Sequence, residues 1–366
     1  MKITHTDVHQ VEIIPGQSWV FVQIHTNEGL TGIGEMNPSA PRKDCLDSLR
    51  KIADTVRGRD PRQIAAITAD LSSTCVDRSA VFALSAIEQG LWDILGKSLE
   101  APVYALLGGS FHSEIHLYAN ITRATPQLTP EVFSLNASKA VADGFDAVKL
   151  APFGGPLFSN DREAGIKNGV KCVHSVRETI GPDISLLLDC YGIFNVNEAL
   201  AIAERTKDVD LFWFEEPVGP DDFEGYRRIK GETGLRLAGG ERLMFRQGFW
   251  PSLKNEIFDV AMPDVSVVGG VGELLKIADM ATTVNISTAP HGPFGPVINS
   301  VQAQIMTPHP GFLMLEYAWG QVPWREDLIT PSEKVHNSRL YLSDSPGYGI
   351  ELNLDTIAAH QCVSSA

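Results

Sequence analysis

ISLLLD (residues 184–189), LFWFE (211–215) and LRLAGGE (235–241) each run through largely apolar residues to one acid: Asp189, Glu215 and Glu241. The interval from one acid to the next is 26 residues both times. A strand, a helix and two short loops use about that much chain, which puts the three acids at the same place in successive βα units. The rhythm carries on, with Asp264 after 23 residues, His291 after a further 27 and Glu316 after a further 25. In a (β/α) barrel the C-terminal ends of all the strands open onto one face, so side chains far apart in sequence become neighbours around a single mouth. The spacing therefore predicts that these residues converge.

Working outward, strand-like stretches at 115–119, 147–150, 184–188, 211–214, 235–238, 260–262, 285–289 and 312–315 supply the eight strands a barrel requires. Residues 1–112 do not follow that period. Two strands, 4–14 and 19–26, are joined by a turn at Pro15-Gly16, and a third, after Asn27-Glu28-Gly29, ends at Glu35. Residues 80–97 (AVFALSAIEQGLWDILGK) repeat apolar positions at three and four and predict a helix. The chain thus reads as an α+β domain over 1–112, a barrel over 113–325, and a polar, turn-rich segment over 326–366 with a short closing strand in 346–353. One stretch breaks the period: Lys149 and Asp189 are 40 residues apart. Residues 153–168 (FGGPLFSNDREAGIKN) carry the Gly, Pro and Asn of an inserted loop, as readily a neutral excursion as a lid over the mouth.

Three carboxylates brought together without a counter-charge raise one another's pKa values and resist ionising. A bound cation removes that conflict. All three donors are hard oxygens, which favours Mg²⁺ or Mn²⁺ over zinc, and six-coordinate Mg²⁺ would keep positions for water and for a substrate's oxygens.

Among 366 residues, 43% are hydrophobic and 20% charged, as in a folded protein with a substantial core. Acids outnumber bases 45 to 30, a formal charge of −15, with no Lys/Arg run, so neither nucleic acid nor an anionic membrane is an expected partner. A small anionic substrate is compatible, because a metal and a lysine reverse the field locally. The start, MKITHTDVHQVEII, reads as a strand rather than a signal peptide, and no stretch approaches the ~18 apolar residues of a membrane helix. Five scattered cysteines (Cys45, Cys75, Cys172, Cys190 and Cys362) read as reduced thiols of a cytoplasmic protein. Cys190 follows Asp189 directly, yet a cysteine at a strand end is expected to be buried and inert.

GLWDILGK in the first domain, VKL at Lys149, FEEPV at Glu215, GGERL at Glu241, MPD at Asp264 and APHGPFGP at His291 stand in order over nearly the whole chain. Together they resemble the mandelate racemase subgroup of the enolase superfamily. The resemblance implies an α+β capping domain, completed by the C-terminal tail, over a modified (β/α)7β TIM-like barrel, and a homo-oligomer. It implies Asp189, Glu215 and Glu241 as metal ligands, with Glu216 pointing the other way. It also implies His291 and Asp264 as a base dyad, Glu316 near the substrate oxygens, and Lys149 on the second strand at the substrate carboxylate. Family racemases carry a second lysine two residues after the first; this chain has Ala151.

Within the subgroup, TAPHGPFGP and the short PGQSW turn look most like the galactonate dehydratase branch, whose acid two residues beyond the first metal ligand is a histidine. Tyr191 stands there in this chain, a phenol whose ordinary pKa near 10 makes it a poorer acid. Trp19 and Arg78, on capping-domain segments, are candidates for substrate contact without chemistry of their own. The expectation is a Mg²⁺-dependent lyase that dehydrates an aldonate or aldarate. His291 removes the proton alpha to the carboxylate, the cation stabilises the ene-diolate, and Tyr191 protonates the departing hydroxyl to leave a 2-keto-3-deoxy acid. A racemase, epimerase or cycloisomerase would share the ene-diolate without losing the hydroxyl, and alpha-proton exchange with retained oxygen would mark it. A non-catalytic sugar-acid binding scaffold would bind metal and turn nothing over.

Overall fold

The first strands form a three-stranded antiparallel sheet in the order β1 (Ile3–Ile14), β2 (Gln17–Thr26) and β3 (Thr31–Met36). The computed structural model describes residues 1–14, 16–37 and 42–362, so the Pro15 half of the expected turn lies outside the described residues. Helices α1 (Arg42–Val56), α2 (Ile64–Ser72) and α3 (Arg78–Ser98) pack with this sheet around a shared apolar core. The expected helix at 80–97 begins two residues earlier because Asp77 caps it, accepting from the Ala80 N–H at 2.9 Å. Helix α3 lies almost on the backbone of β3. A Cβ on Gly32 or Gly34 would meet the carbonyl oxygen of Gly90 or Ala86 at 2.1 Å, so only glycine allows the approach.

The second body is a parallel barrel. Its strands are β4 (Ile115–Asn120), β5 (Ala147–Leu150), β6 (Ser185–Asp189), β7 (Leu211–Glu215), β8 (Leu237–Gly239), β9 (Val260–Ala261), β10 (Ser287–Thr288) and β11 (Leu315–Tyr317). They pair in sequence order from β4 to β10; β11 returns to β4, and the bridge between Thr288 and Phe312 closes the ring. The last strand is shifted from the expected 312–315, so that Glu316 lies within it.

Alternation along these strands decides which side chains enter the lumen. Tyr118, Ala147, Leu187, Trp213, Ala238, Val260, Met262, Ala289 and Met314 form one inward cluster, while Leu186, Leu188 and Phe214 face the helices. Asn120, Lys149, Asp189, Glu215, Asp264, His291 and Glu316 each sit two residues beyond an inward residue and inherit its direction. Glu241 is three beyond Ala238. Between them Gly240, at φ 111°, resets the phase.

Residues 153–168 are not an open loop. They form the helix Gly155–Asn160 and the first turns of Arg162–Ile180, which Asp161 caps by accepting from the Ala164 N–H at 3.0 Å. Phe153 is buried under Gly169 and meets Phe194 edge-on at 5.0 Å, so the insertion is packed down. In the tail, Glu351–Leu352 pairs antiparallel with Ile329–Thr330, and the hairpin Lys334–His336/Arg339–Tyr341 adds to the near end of β4. Gln361 bridges to Val11 of β1. Among the described residues no helix is long and apolar enough to cross a membrane.

Two buried glutamates of the first domain tie it to the barrel. Glu35, near the end of β3, accepts from the N–H groups of Gly295 (2.7 Å) and Ile298 (3.0 Å) at the start of the helix Pro296–Met306. Glu88, on α3, does the same for Val271 (2.7 Å) and Gly272 (3.1 Å) at the start of Val271–Thr283. Each carboxylate satisfies N–H groups that have no partner within their own helix and sits at its positive end. These two helices follow the loops that carry Asp264 and His291.

Candidate active site

Strands β6 and β7 are in register with Asp189 beside Glu215, and Glu241 follows β8. Their carboxylates form a cluster in which one oxygen from each lies within 4.8 Å of the others. Burial pushes Glu215 well above the usual carboxylate range and Asp189 to about 6, with Glu241 adding repulsion at both. Lys149 opposes this: its Nζ is 2.9 Å from Glu215 Oε1, 2.7 Å from Glu316 Oε1 and 4.0 Å from Asp189 Oδ2. Burial favours a neutral lysine, but Glu215 and Glu316 outweigh it and hold the ammonium charged. One lysine among four acids leaves an excess of negative charge. An all-oxygen donor set with that excess fits a divalent cation, and fits Mg²⁺ or Mn²⁺ better than a metal that prefers nitrogen or sulfur. Trp213 orients Glu215, donating from its indole N–H to Oε2 at 3.0 Å.

On the other side of the mouth, His291 Nδ1 is 2.8 Å from Asp264 Oδ2. A carboxylate oxygen can only accept there, so Nδ1 carries a hydrogen and Nε2 is the nitrogen turned to the mouth. Asp264 is itself held, accepting from the Ser266 backbone N–H (2.8 Å) and hydroxyl (2.5 Å) at Oδ1. Nε2 points at the carboxylate cluster, 3.2 Å from Glu241 Oε2 and 3.8 Å from Glu316 Oε2. Burial alone would lower the imidazole pKa, but Glu241, Glu316 and Asp264 together raise it to about 10. Glu316 moves the opposite way: burial works against its charge, yet Lys149 and His291 bring it down to about 2. Asn120 Nδ2, at 2.8 Å, and the Gly292 N–H, at 3.1 Å, donate to its two oxygens.

Tyr191 has φ 55°, a left-handed turn that directs the chain away from β6 while its N–H donates to Asp189 Oδ1 at 2.8 Å. Its phenol feels Asp189, Arg123, Lys149 and Glu241; burial leads in pushing the pKa up, so the proton stays on. Glu216 is one residue out of phase with Glu215, as expected, and is taken up by Arg242 at 2.8 Å. Arg242 also lies 3.5 Å from Glu241 and donates to the Tyr191 carbonyl. Cys190 is fully buried, and burial raises its thiol well above the ordinary value, leaving no nucleophile.

Trp19 is buried like Lys149 and Glu316, packs edge-on against Trp324 at 6.0 Å, and its indole N–H has no hydrogen-bond partner among the described residues. Arg78 does reach the barrel rim, where its Nη1 donates to the Arg242 carbonyl at 3.5 Å. Ala151 is buried, its N–H donating to Thr122 Oγ1 at 2.8 Å. Sequence reasoning missed Asn120, Ser266, Trp213 and Arg242. Period-two phase points to Asn120 and Trp213; for the other two the only signal was adjacency to an acid already singled out.

Comparison with known proteins gives the arrangement a context. The mandelate racemase/muconate lactonizing enzyme N-terminal domain model matches residues 4–108, and the enolase C-terminal domain-like model matches residues 133–356. The chain is 32% identical to D-gluconate dehydratase of Thermoproteus tenax over 91% of its own length and 68% of the relative's. It is 30% identical to D-galactonate dehydratase of Pectobacterium atrosepticum, over 98% of this chain and 94% of that one. The crystal structure of a mandelate racemase/muconate lactonizing enzyme from Jannaschia sp. CCS1 superposes with a TM-score of 0.89 at 28% identity, covering 100% and 99% of the two chains.

Proposed function

The chain belongs to the mandelate racemase/muconate lactonizing enzyme family of the enolase superfamily, and from that premise we propose that it is a Mg²⁺-dependent sugar-acid dehydratase acting on an aldonate or aldarate. One observation carries the reading. Nε2 of an Asp-oriented histidine faces a buried three-carboxylate cluster across a single barrel mouth, 3.2 Å from its nearest oxygen. The similarity to gluconate and galactonate dehydratases supports the reaction class.

Asp189, Glu215 and Glu241 would hold the cation. When bound, it supplies Lewis-acid stabilisation of the negative charge that develops on the substrate carboxylate. Lys149 and Glu316 position the same end of the substrate, the ammonium meeting a carboxylate oxygen. His291 Nε2 removes the proton from the carbon alpha to the carboxylate, and Asp264 keeps Nδ1–H in place and stabilises the imidazolium that forms. With the charge of Glu241 taken up by a cation, the imidazole loses the largest of the attractions that raise its pKa and can accept the proton. The electron pair left on the alpha carbon forms the C2–C3 double bond as the C3 hydroxyl leaves. Tyr191, protonated at rest, gives that hydroxyl its proton and water departs. The resulting enol tautomerises to the 2-keto-3-deoxy acid.

The test is turnover of a panel of aldonates and aldarates by the purified protein with Mg²⁺, with semicarbazide detecting 2-keto-3-deoxy products. A hit that is lost in His291→Asn supports both reaction and base. No product anywhere, with alpha-proton exchange in heavy water, would replace dehydration by isomerisation.

A further inference from the structure

We propose that Arg123 binds the far carboxylate of a six-carbon aldarate, so that the substrate is a diacid rather than an aldonate. This rests on the dehydratase reading and narrows it.

Arg123 lies on the short 3₁₀ turn Ile121–Ala124, directly after β4, and is half-buried. Its guanidinium is 6.0 Å from the ring centre of Phe294, which follows β10. It is also close enough to the Tyr191 phenol, beyond β6, for its charge to act on it. In the ring of strands β10 and β6 lie on opposite sides of β4, each two strands away. A side chain that starts after β4 and lies against Phe294, beyond β10, leans over the mouth rather than away from it.

Its charge is uncommitted. Lys149 is paired with Glu215 and Glu316, Arg242 with Glu216, and Arg325 with Glu333. Among the described residues Arg123 has neither a hydrogen bond nor an ion pair; its contact is the aromatic face of Phe294. In a chain with 45 acids and 30 bases, a half-buried arginine left without a carboxylate is set apart from its neighbours. The planar guanidinium fork matches a carboxylate in two parallel hydrogen bonds, which a hydroxyl cannot reproduce.

The reach is also right. Phe294 meets the His291 ring edge-on with centres 5.6 Å apart, so the guanidinium lies one aromatic ring away from the base. His291 works at C2. Four carbon–carbon bonds of about 1.5 Å carry an extended chain roughly 5 Å from C2 to C6, enough to bring a terminal carboxylate beside Phe294.

The experiment compares aldarates with aldonates of the same configuration at C2 to C5, in wild type, Arg123→Met and Arg123→Lys, each with Mg²⁺. The readout is the ratio of kcat/KM for diacid over monoacid. It does not depend on how much of a variant is folded, because both substrates report on the same active fraction. The proposal expects the diacid to be preferred by wild type. In Arg123→Met the ratio should fall about ten- to a hundredfold, mainly through KM, as expected for loss of a charge-assisted pair. Arg123→Lys should fall between, keeping the charge and losing the fork. Product from aldonates with a ratio that the variants leave unmoved would overturn the assignment of Arg123 while leaving the dehydratase reading standing. Absence of product from both series would overturn the dehydratase reading, and this proposal with it.

Discussion

Replacing Glu35 with Gln should change how stability depends on pH. Glu35 is fully buried between the two bodies, and burial pushes its carboxyl from the ordinary 4.5 to about 7; the Ile298 and Gly295 N–H groups and Arg325 hold it from going higher. Below pH 4.5 the folded and unfolded chains both keep this proton. As pH rises from 4.5 towards 7 the unfolded chain has released it while the folded protein retains it, so folding loses about 1.4 kcal/mol per unit. Above 7 the loss levels off, at about 3 kcal/mol over the whole window. Glu88 is raised to about 7 and Asp93 to about 6, both chiefly by burial, so the wild-type slope has several contributors of the same sign. The difference between wild type and Glu35→Gln isolates one. Glutamine keeps a carbonyl oxygen for one of the two helix N–H groups, a loss that is the same at every pH, and does not titrate. Urea unfolding followed by tryptophan fluorescence at pH 5, 6, 7 and 8 should show the variant gaining on wild type by about 2.5 kcal/mol across the series. Parallel curves would refute the argument. They would mean that the positive end of the helix Pro296–Met306 keeps Glu35 ionised at no net cost to folding.

Other consequences follow from single contacts. Chelation should abolish turnover and Mg²⁺ should restore it, and Asp189→Asn or Glu241→Gln should remove the heat of Mg²⁺ binding in calorimetry. Ser266→Ala deletes the hydroxyl that holds Asp264 Oδ1 at 2.5 Å; steady-state kinetics should show kcat down about tenfold with KM little changed. Trp19→Ala empties a fully buried site and should cost about 3–5 kcal/mol in chemical denaturation. Gly34→Ala places a Cβ 2.1 Å from the Ala86 carbonyl oxygen, so its thermal unfolding midpoint should fall by several degrees.

The barrel and its acids could be read from the chain alone. A repeat near 26 residues and an alternation of two are local properties: the first counts the chain in a βα unit, the second sets the side of the sheet to which a side chain points. Both survive without knowledge of any distant contact, so Asp189, Glu215, Asp264, His291 and Glu316 were legible before the fold. What depends on contacts between distant segments was not. Trp19 sits on a strand whose pattern does not say what it meets, and Trp324, far along the chain, packs edge-on against it. Residues 153–168 carry turn residues, yet Phe153 finds Gly169 and Phe194, and the segment packs as helix. Glu35 and Glu88 look like ordinary charges in sequence; their role exists only because two barrel helices present unpaired N–H groups to them. Arg123 likewise gained its meaning from what surrounds it. Periodicity encodes direction within an element, whereas partnership across elements is settled by packing.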